Sequence, residues 1–225
     1  MVDRLREVLA TYDRIRQDIE PYTTEVLGKE ILVRPNVFSP KYFTDSAYFA
    51  EAIPQLVGQQ DHFLEIGAGT GVVASFVGLN GVGKLVATDI NPGAVENTRQ
   101  NFDRFALQGD VLQGHLYEPV GDAKFHTIFW NHPFNCVQEQ VNDVLLRAGL
   151  DEDYQDLEEW FRDGKQHLFE GGQLLLGTGN IARLDLIEAL AAKHGYVSTI
   201  AAQRDCPQNY DGTEEVETYF VYKFT

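Results

Sequence analysis

The sequence predicts a doubly wound α/β chain built on a mostly parallel sheet, and three observations carry that expectation. From Asp61 onward, apolar runs of strand length alternate with amphipathic segments of helical period. The first run breaks into glycines at alternate positions, Gly67, Gly69 and Gly71, directly before a helical segment. The second run ends in Asp89, about twenty residues beyond those glycines.

Strands are expected at 61–66, 84–88, 109–113, 125–130, 172–178, 196–203 and 216–224, and helices at 71–79, 92–105, 138–147, 154–168 and 181–194. Asn91-Pro92 marks a helix start, because Asn caps and Pro tolerates the first turn. Gly195 closes the last helix. Only a turn-rich loop, Asp205 to Glu215, separates the last two strands. They therefore form a hairpin, with one strand antiparallel to the rest.

Ahead of this alternation, Val2, Leu5, Val8, Leu9, Tyr12, Ile15 and Ile19 share one helical face, and Pro21 ends that helix. Residues 28–38 read as extended, with Ile31–Val33 a short strand; Pro40 marks a turn, and Ser46 to Ile53 a helix stopped by Pro54. The division expected is a small N-terminal helical or lid segment over 1–54 and the main domain over 55–225.

With 44 % hydrophobic residues, 225 residues suffice for a real core. The net charge of −16, without a cluster of Lys and Arg, argues against a nucleic-acid substrate. A small molecule or a protein side chain is the expected partner. The two cysteines, Cys136 and Cys206, give neither a metal spacing nor a disulfide framework. No metal is expected, and a reducing, cytoplasmic setting fits. The N-terminus is charged rather than signal-like, and no run approaches the roughly 20 apolar residues of a membrane span.

The chemistry begins at the glycines. They allow backbone conformations closed to other residues, and the helix start behind them leaves free N–H groups. A carboxylate at Asp89 can accept from both hydroxyls of a ribose. Two nucleoside readings follow. Gly69-x-Gly71-x-x-Ala74 fits the dinucleotide fingerprint loosely, but Gly67-x-Gly69-x-x-Val72 puts a β-branched residue where close packing wants Gly or Ala. Glu65-x-Gly67-x-Gly69-x-Gly71 instead resembles the first motif of class I S-adenosylmethionine (SAM)-dependent methyltransferases. That resemblance implies a seven-stranded Rossmann-like sheet and SAM as cofactor. It places Glu65, Gly67, Gly69 and Gly71 at the methionine part, Asp89 at the ribose, and Ile90 and Asn91 at the adenine edge.

A second motif follows the buried-type run Phe125–Phe129, in Trp130-Asn131-His132-Pro133-Phe134. Beyond the carboxyl end of a strand, it should lie near the glycine turn. It resembles the Asn-Pro-Pro-Tyr/Phe motif of methyltransferases acting on amide or exocyclic amino nitrogen, including protein glutamine methyltransferases. Asn131, Pro133 and Phe134 match, and His132 replaces the first Pro. Asn131 can accept from the target N–H, a carbonyl in the stiff Pro133 segment can accept again, and Phe134 can stack on the substrate or face the sulfonium. His132 adds a titratable group, either a base for an amine substrate or a packing and hydrogen-bonding residue.

Two weaker matches complete the set. Asn36 to Asp45 resembles the stretch preceding the SAM domain in small-domain methyltransferases, with Pro40, Thr44 and Asp45 matching in order and Phe43 adding aromatic surface. With Tyr12, Tyr22, Tyr42, Tyr48 and Phe49 nearby, the rings of this head read either as core or as an aromatic lid, in which Tyr22, Phe43 and Trp130 stand out. His115 stands where the superfamily usually places an Asp near the adenine amino group. The acidic stretch 135–165 reads as a solvated helical pair or as a rim for a cationic substrate. The function expected is SAM-dependent N-methyl transfer. The alternatives are intramolecular cyclisation of SAM to azetidine-2-carboxylate with release of methylthioadenosine, and a non-catalytic SAM-binding module.

Overall fold

The computed structural model describes residues 4–210 and 213–225. Helix α1 (Arg4–Gln17) leads into a hairpin of β1 (Tyr22–Val26) and β2 (Lys29–Val33), then α2 (Asp45–Ala52). The alternating part follows: β3 (His62–Ile66), α3 (Val72–Leu79), β4 (Lys84–Asp89), α4 (Pro92–Arg104), β5 (Asp110–Gln113) and β6 (Phe125–Asn131). Next come short strands β7 (Asn135–Val137) and β8 (Leu150–Glu152), α5 (Gln155–Gly164), β9 (Leu168–Gly179), α6 (Leu184–Lys193), β10 (Ser198–Tyr210) and β11 (Thr213–Phe224).

The main sheet has seven strands in the order β10-β11-β9-β6-β3-β4-β5. β11 pairs antiparallel with both neighbours, and the other pairings are parallel. Strand order reverses between β3 and β6, so their carboxyl ends diverge into a crevice where such folds hold ligands. The inner strands are buried on both faces. Phe63, Ala87, Phe129 and Leu175 pack toward α2, α3 and α4. Leu64, Val86, Ile128, Leu174 and Leu176 pack toward α5 and α6.

Four details depart from the sequence reading. The helix expected at 138–147 is absent. Asp143 Oδ1 accepts from the Leu145 and Leu146 N–H groups at 2.9 and 3.2 Å, a local bond that competes with helix and leaves one short 3₁₀ turn, Leu146–Ala148. β7 and β8 pair on either side of it. The hairpin β1–β2 begins before the extended stretch expected at 28–38, its tight turn formed by Leu27 and Gly28 at φ +49° and +75°. The loop expected at Asp205–Glu215 is largely strand, because β10 and β11 continue pairing to Tyr210 and Thr213. Residues 211–212 at its tip, and Val2 at the start of the first expected helix, lie outside the described residues.

α1 packs through Val8, Tyr12 and Ile15 against Leu145, with Phe38 and Phe43 beside them. α2 packs on α3 and β11 through Tyr48 and Phe49. α1 and the Phe38–Phe43 segment therefore lie over the crevice end of the sheet, while β2 bonds to α4 through Asn97 and Asn101.

Candidate functional site

Two adjoining cavities open beyond the carboxyl ends of β3, β4 and β6. The first is built on the glycine turn. Gly67, Gly69 and Gly71 have φ of +63°, +58° and +72°, a region that costs other residues about 1–2 kcal/mol each. A Cβ on Gly67 would stand 3.0 Å from the Trp130 Nε1, so the bare backbone there is a fitted surface.

Asp89 ties this turn to the end of β4. Its Oδ2 accepts from the Gly69 N–H at 2.8 Å, and its Oδ1 from the Asn91 N–H at 2.8 Å. Burial nevertheless pushes its carboxyl up to about 6. Glu65 sits deeper. Its Oε2 accepts from the Ala74 N–H in the first turn of α3 at 2.7 Å, and burial, with Asp89 nearby, pushes it up to about 8. Glu65 thus anchors the helix start as well as lining the cavity. Asn91 caps α4 by accepting from Gly93, and its amide donates to the Asn36 carbonyl.

Most residues expected at a nucleoside meet here. Glu65, Gly67, Gly69, Asp89, Ile90 and Asn91 line the first cavity. Trp130 and His115 form other parts of its wall. His115 Nε2 lies 3.7 Å from Asp156 and 3.6 Å from Glu159, at the edge where Arg147 pairs with Asp156.

Four expectations are corrected. Gly71 faces α4 instead of the cavity, because a Cβ there would lie 2.6 Å from the Thr98 Cγ2. Thr44 directs its hydroxyl toward the Tyr219 hydroxyl, 3.3 Å away, and lines neither cavity. Pro40 stays in the turn closed by the Tyr42 N–H to Ser39 carbonyl bond, also outside both linings. Tyr22 donates to or accepts from Ser39 at 2.6 Å and lines neither cavity.

The second cavity takes up the Asn131 motif. Asn131 lines both cavities, as do Phe38 and Ala148. Its Nδ2 donates to Asp45 Oδ2 at 2.9 Å, while its Oδ1 is buried without a hydrogen-bond partner among the described residues. Phe43 belongs to this cavity and not to the first. It stacks on Phe38 at 4.7 Å, with Tyr12 tilted beside it at 6.0 Å. Phe134 lies between Gly179 and Tyr219. Pro133 lines the first cavity, on the opposite side of the motif.

His132 is in the interior. Its Nε2 lies 2.9 Å from the Thr178 hydroxyl, its ring meets Trp130 and Tyr154 edge-on, and burial pulls it down to about 3. It is neutral at ordinary pH and lines the second cavity, and its Nδ1 has no hydrogen-bond partner among the described residues.

Tyr12, Asp45 and Glu217 complete that cavity and were absent from the expected site. Asp45 belonged to the matched stretch without a role of its own. Tyr12 repeats with the apolar face of α1, so its spacing reads as core. Glu217 comes from the last strand, far from any motif.

The geometry can be set beside known proteins. A family model described as the methyltransferase small domain matches residues 28–205, well over half of the chain. The chain belongs to this family. Among family relatives, the release factor glutamine methyltransferase of Geobacter sulfurreducens is 25 % identical over 192 residues, covering 80 % of this chain and 66 % of its own length. The ribosomal RNA small subunit methyltransferase C of Haemophilus influenzae is 29 % identical over 112 residues, covering 49 % of this chain and 30 % of its own. The chain therefore spans between about a third and two thirds of these relatives' lengths. The structure of the Thermus thermophilus 16S rRNA N2 G1207 methyltransferase, in complex with AdoMet and guanosine, superposes with a TM-score of 0.59 at 20 % identity, covering 91 % of this chain and 49 % of that one. It supports the fold. Because relatives named for ribosomal RNA and for a protein side chain both match, acidity alone does not assign the acceptor class. Among the described residues no helix is long and apolar enough to cross a membrane.

Proposed function

We infer that the protein is a SAM-dependent N-methyltransferase acting on a small molecule or a protein side chain. The single observation carrying the transfer reading is the Asn131 Oδ1. Asn131 lines both cavities, and this oxygen is a buried acceptor without a hydrogen-bond partner among the described residues. Asp45 takes the amide nitrogen, so the oxygen is left for an incoming N–H.

The cofactor fits the residues present. Gly67 and Gly69 offer bare backbone for the methionine part, beside Glu65. In this reading Asp89 would take the ribose, and Ile90, Asn91 and His115, on the same cavity wall, would face the adenine. Trp130 backs the turn. When bound, SAM supplies an electrophilic methyl carbon on a sulfonium. The chain's contribution is orientation. Asn131 accepts from the target N–H, Phe134 and the rings around it exclude water, and the stiff Pro133 segment fixes the spacing.

Incubation with SAM and an acceptor panel, read as S-adenosylhomocysteine by mass spectrometry, tests this reading. Acceptor-dependent product supports it, and its absence across amines, amides and nucleosides contradicts it.

A second reading keeps the nucleoside and changes the bond that forms. The aromatic wall of Tyr12, Phe38 and Phe43, supplied by the chain's own first fifty residues, supports a folded-back aminocarboxypropyl arm. Its amino group would attack its own γ-carbon, giving azetidine-2-carboxylate as methylthioadenosine leaves. Methylthioadenosine from SAM alone favours cyclisation, and acceptor-dependent S-adenosylhomocysteine favours transfer. The two unpaired cysteines support a cytoplasmic setting for either.

A further inference from the structure

The polar groups lining the second cavity share one property: they present acceptors. Asn131 directs its NH₂ at Asp45, and Asn135 directs its NH₂ at the Gly149 carbonyl at 2.9 Å. Each amide thus has one N–H engaged, and the Asn131 oxygen has no hydrogen-bond partner among the described residues. Asp45 and Glu217 are carboxylates, both buried, and close enough that Glu217 raises the Asp45 pKa. Tyr219, the other hydroxyl beside them, spends its proton on Glu217 Oε2 at 2.8 Å.

Three polar atoms on this lining have no hydrogen-bond partner among the described residues: Tyr12 Oη, Asn131 Oδ1 and His132 Nδ1. Tyr12 and His132 are each only 1 % exposed, so water does not satisfy them at the surface. In the tautomer that gives the Nε2 proton to the Thr178 hydroxyl, His132 Nδ1 presents a lone pair. Leaving such atoms unpaired costs about 1–3 kcal/mol each, which points to a ligand that pairs them. The remaining wall is apolar and largely aromatic, with Phe38, Phe43, Phe134 and Tyr219 beside Val8 and Ile181.

An amide or a nucleobase carries its own carbonyl or ring acceptor, and that group needs a donor facing it. Among the described residues, Tyr12 is the hydroxyl of this lining left without a hydrogen bond, and acceptors outnumber such donors. An alkylammonium has three N–H donors and no acceptor, and its charge suits carboxylates and ring faces alike.

We propose that the second cavity is a binding site for a primary alkylammonium, so that the acceptor nitrogen is an amine and not an amide or a base. This rests on the transferase reading above and narrows its acceptor class. The chemistry balances. The ammonium gives one proton to the Asp45 carboxylate. The freed lone pair forms the N–C bond as the S–CH₃ bond breaks, with the electron pair going to sulfur. The products are an N-methylalkylammonium and S-adenosylhomocysteine, with the proton on Asp45 released to solvent. The amine comes either from a free small molecule or from a lysine side chain, which share this chemistry.

Calorimetric titration of the full chain with n-butylamine, with its near-isosteric neutral amide butyramide, and with a short lysine-containing peptide tests it. Binding of either amine source at least about tenfold tighter than butyramide supports the proposal, and which of the two binds names the source. Glu217→Gln lowers amine affinity about tenfold or more while S-adenosylhomocysteine binds as in the parent protein. Butyramide binding as tightly as both amine sources, or no amine binding at all, overturns the proposal. The amine series is run without nucleoside and S-adenosylhomocysteine is titrated separately, so a failure of the cofactor reading shows in one experiment and a failure of the amine site in the other. Should Glu217→Gln not fold, the amine-against-amide comparison in the parent protein decides alone.

Discussion

Asp45, at the start of α2, holds the amide nitrogen of Asn131, at the end of β6, through a 2.9 Å hydrogen bond across 86 residues of sequence. The Asp45 Oδ1 is itself fixed by the Ser46 N–H at 2.6 Å. One carboxylate thus sets which face of the Asn131 amide meets the second cavity. Replacing Asp45 by Asn removes the obligatory acceptor and lets the Asn131 amide turn over. kcat should fall about 10–100-fold, while S-adenosylhomocysteine affinity measured by calorimetry stays nearly constant. Equal losses in both would make Asp45 a folding residue only.

Asn131→Ala removes the acceptor itself. The expected loss in kcat is about 10²–10³-fold, with a far smaller change in nucleoside affinity. Single-turnover kinetics at saturating SAM separate the two effects.

Asp89→Asn keeps size but leaves one acceptor oxygen where two backbone N–H groups, those of Gly69 and Asn91, now pair. One becomes unpaired, and the turn loosens. S-adenosylhomocysteine affinity should drop about 10–100-fold, together with a lower melting temperature.

Gly67→Ala places a methyl 3.0 Å from the Trp130 indole nitrogen at a φ of +63°. Backbone conformation alone costs about 1–2 kcal/mol. The variant should fold with reduced stability and lose nucleoside binding, read by thermal unfolding and calorimetry on the same sample.

Glu65 gives the ligand-free protein a distinctive pH profile. Its folded pKa, near 8, lies above that of an unfolded carboxyl, so the native state holds the proton more tightly. Stability then falls as pH rises toward 8, because the folded form must give up a proton the unfolded form has already lost. His132, pulled down to about 3, acts oppositely, but its contribution is complete once pH exceeds the unfolded histidine value near 6.5. Between about pH 6.5 and 8 the carboxyl slope dominates, worth on the order of 1–2 kcal/mol for Glu65. Asp151, raised to about 7, adds to its lower end. Glu65→Gln retains an acceptor for Ala74 and should flatten the slope in denaturant titrations.

The sheet was legible because its signals are local. Alternating apolar runs, the Asn91 cap and the glycine turn each depend on neighbours a few residues away, and the first cavity follows from where strands end. The helix expected at 138–147 failed because Val141, Val144 and Leu145 give a helical spacing that the Asp143 turn overrides. The rest of the second cavity was hidden for another reason. Tyr12, Asp45 and Glu217 come from α1, α2 and β11, and only tertiary packing brings them to Asn131 at the end of β6. His132 was visible as a departure from its motif, but its burial against Trp130 and Tyr154 was not.

The central claim is that a sulfonium nucleoside lies on the Gly67–Gly69 backbone with its sugar at Asp89. Isothermal titration of the folded chain with S-adenosylhomocysteine tests it most directly. A single saturable site, abolished by Gly67→Ala and weakened by Asp89→Asn, is the result predicted. No heat from a chain shown to be folded by circular dichroism, or binding indifferent to both substitutions, would contradict it.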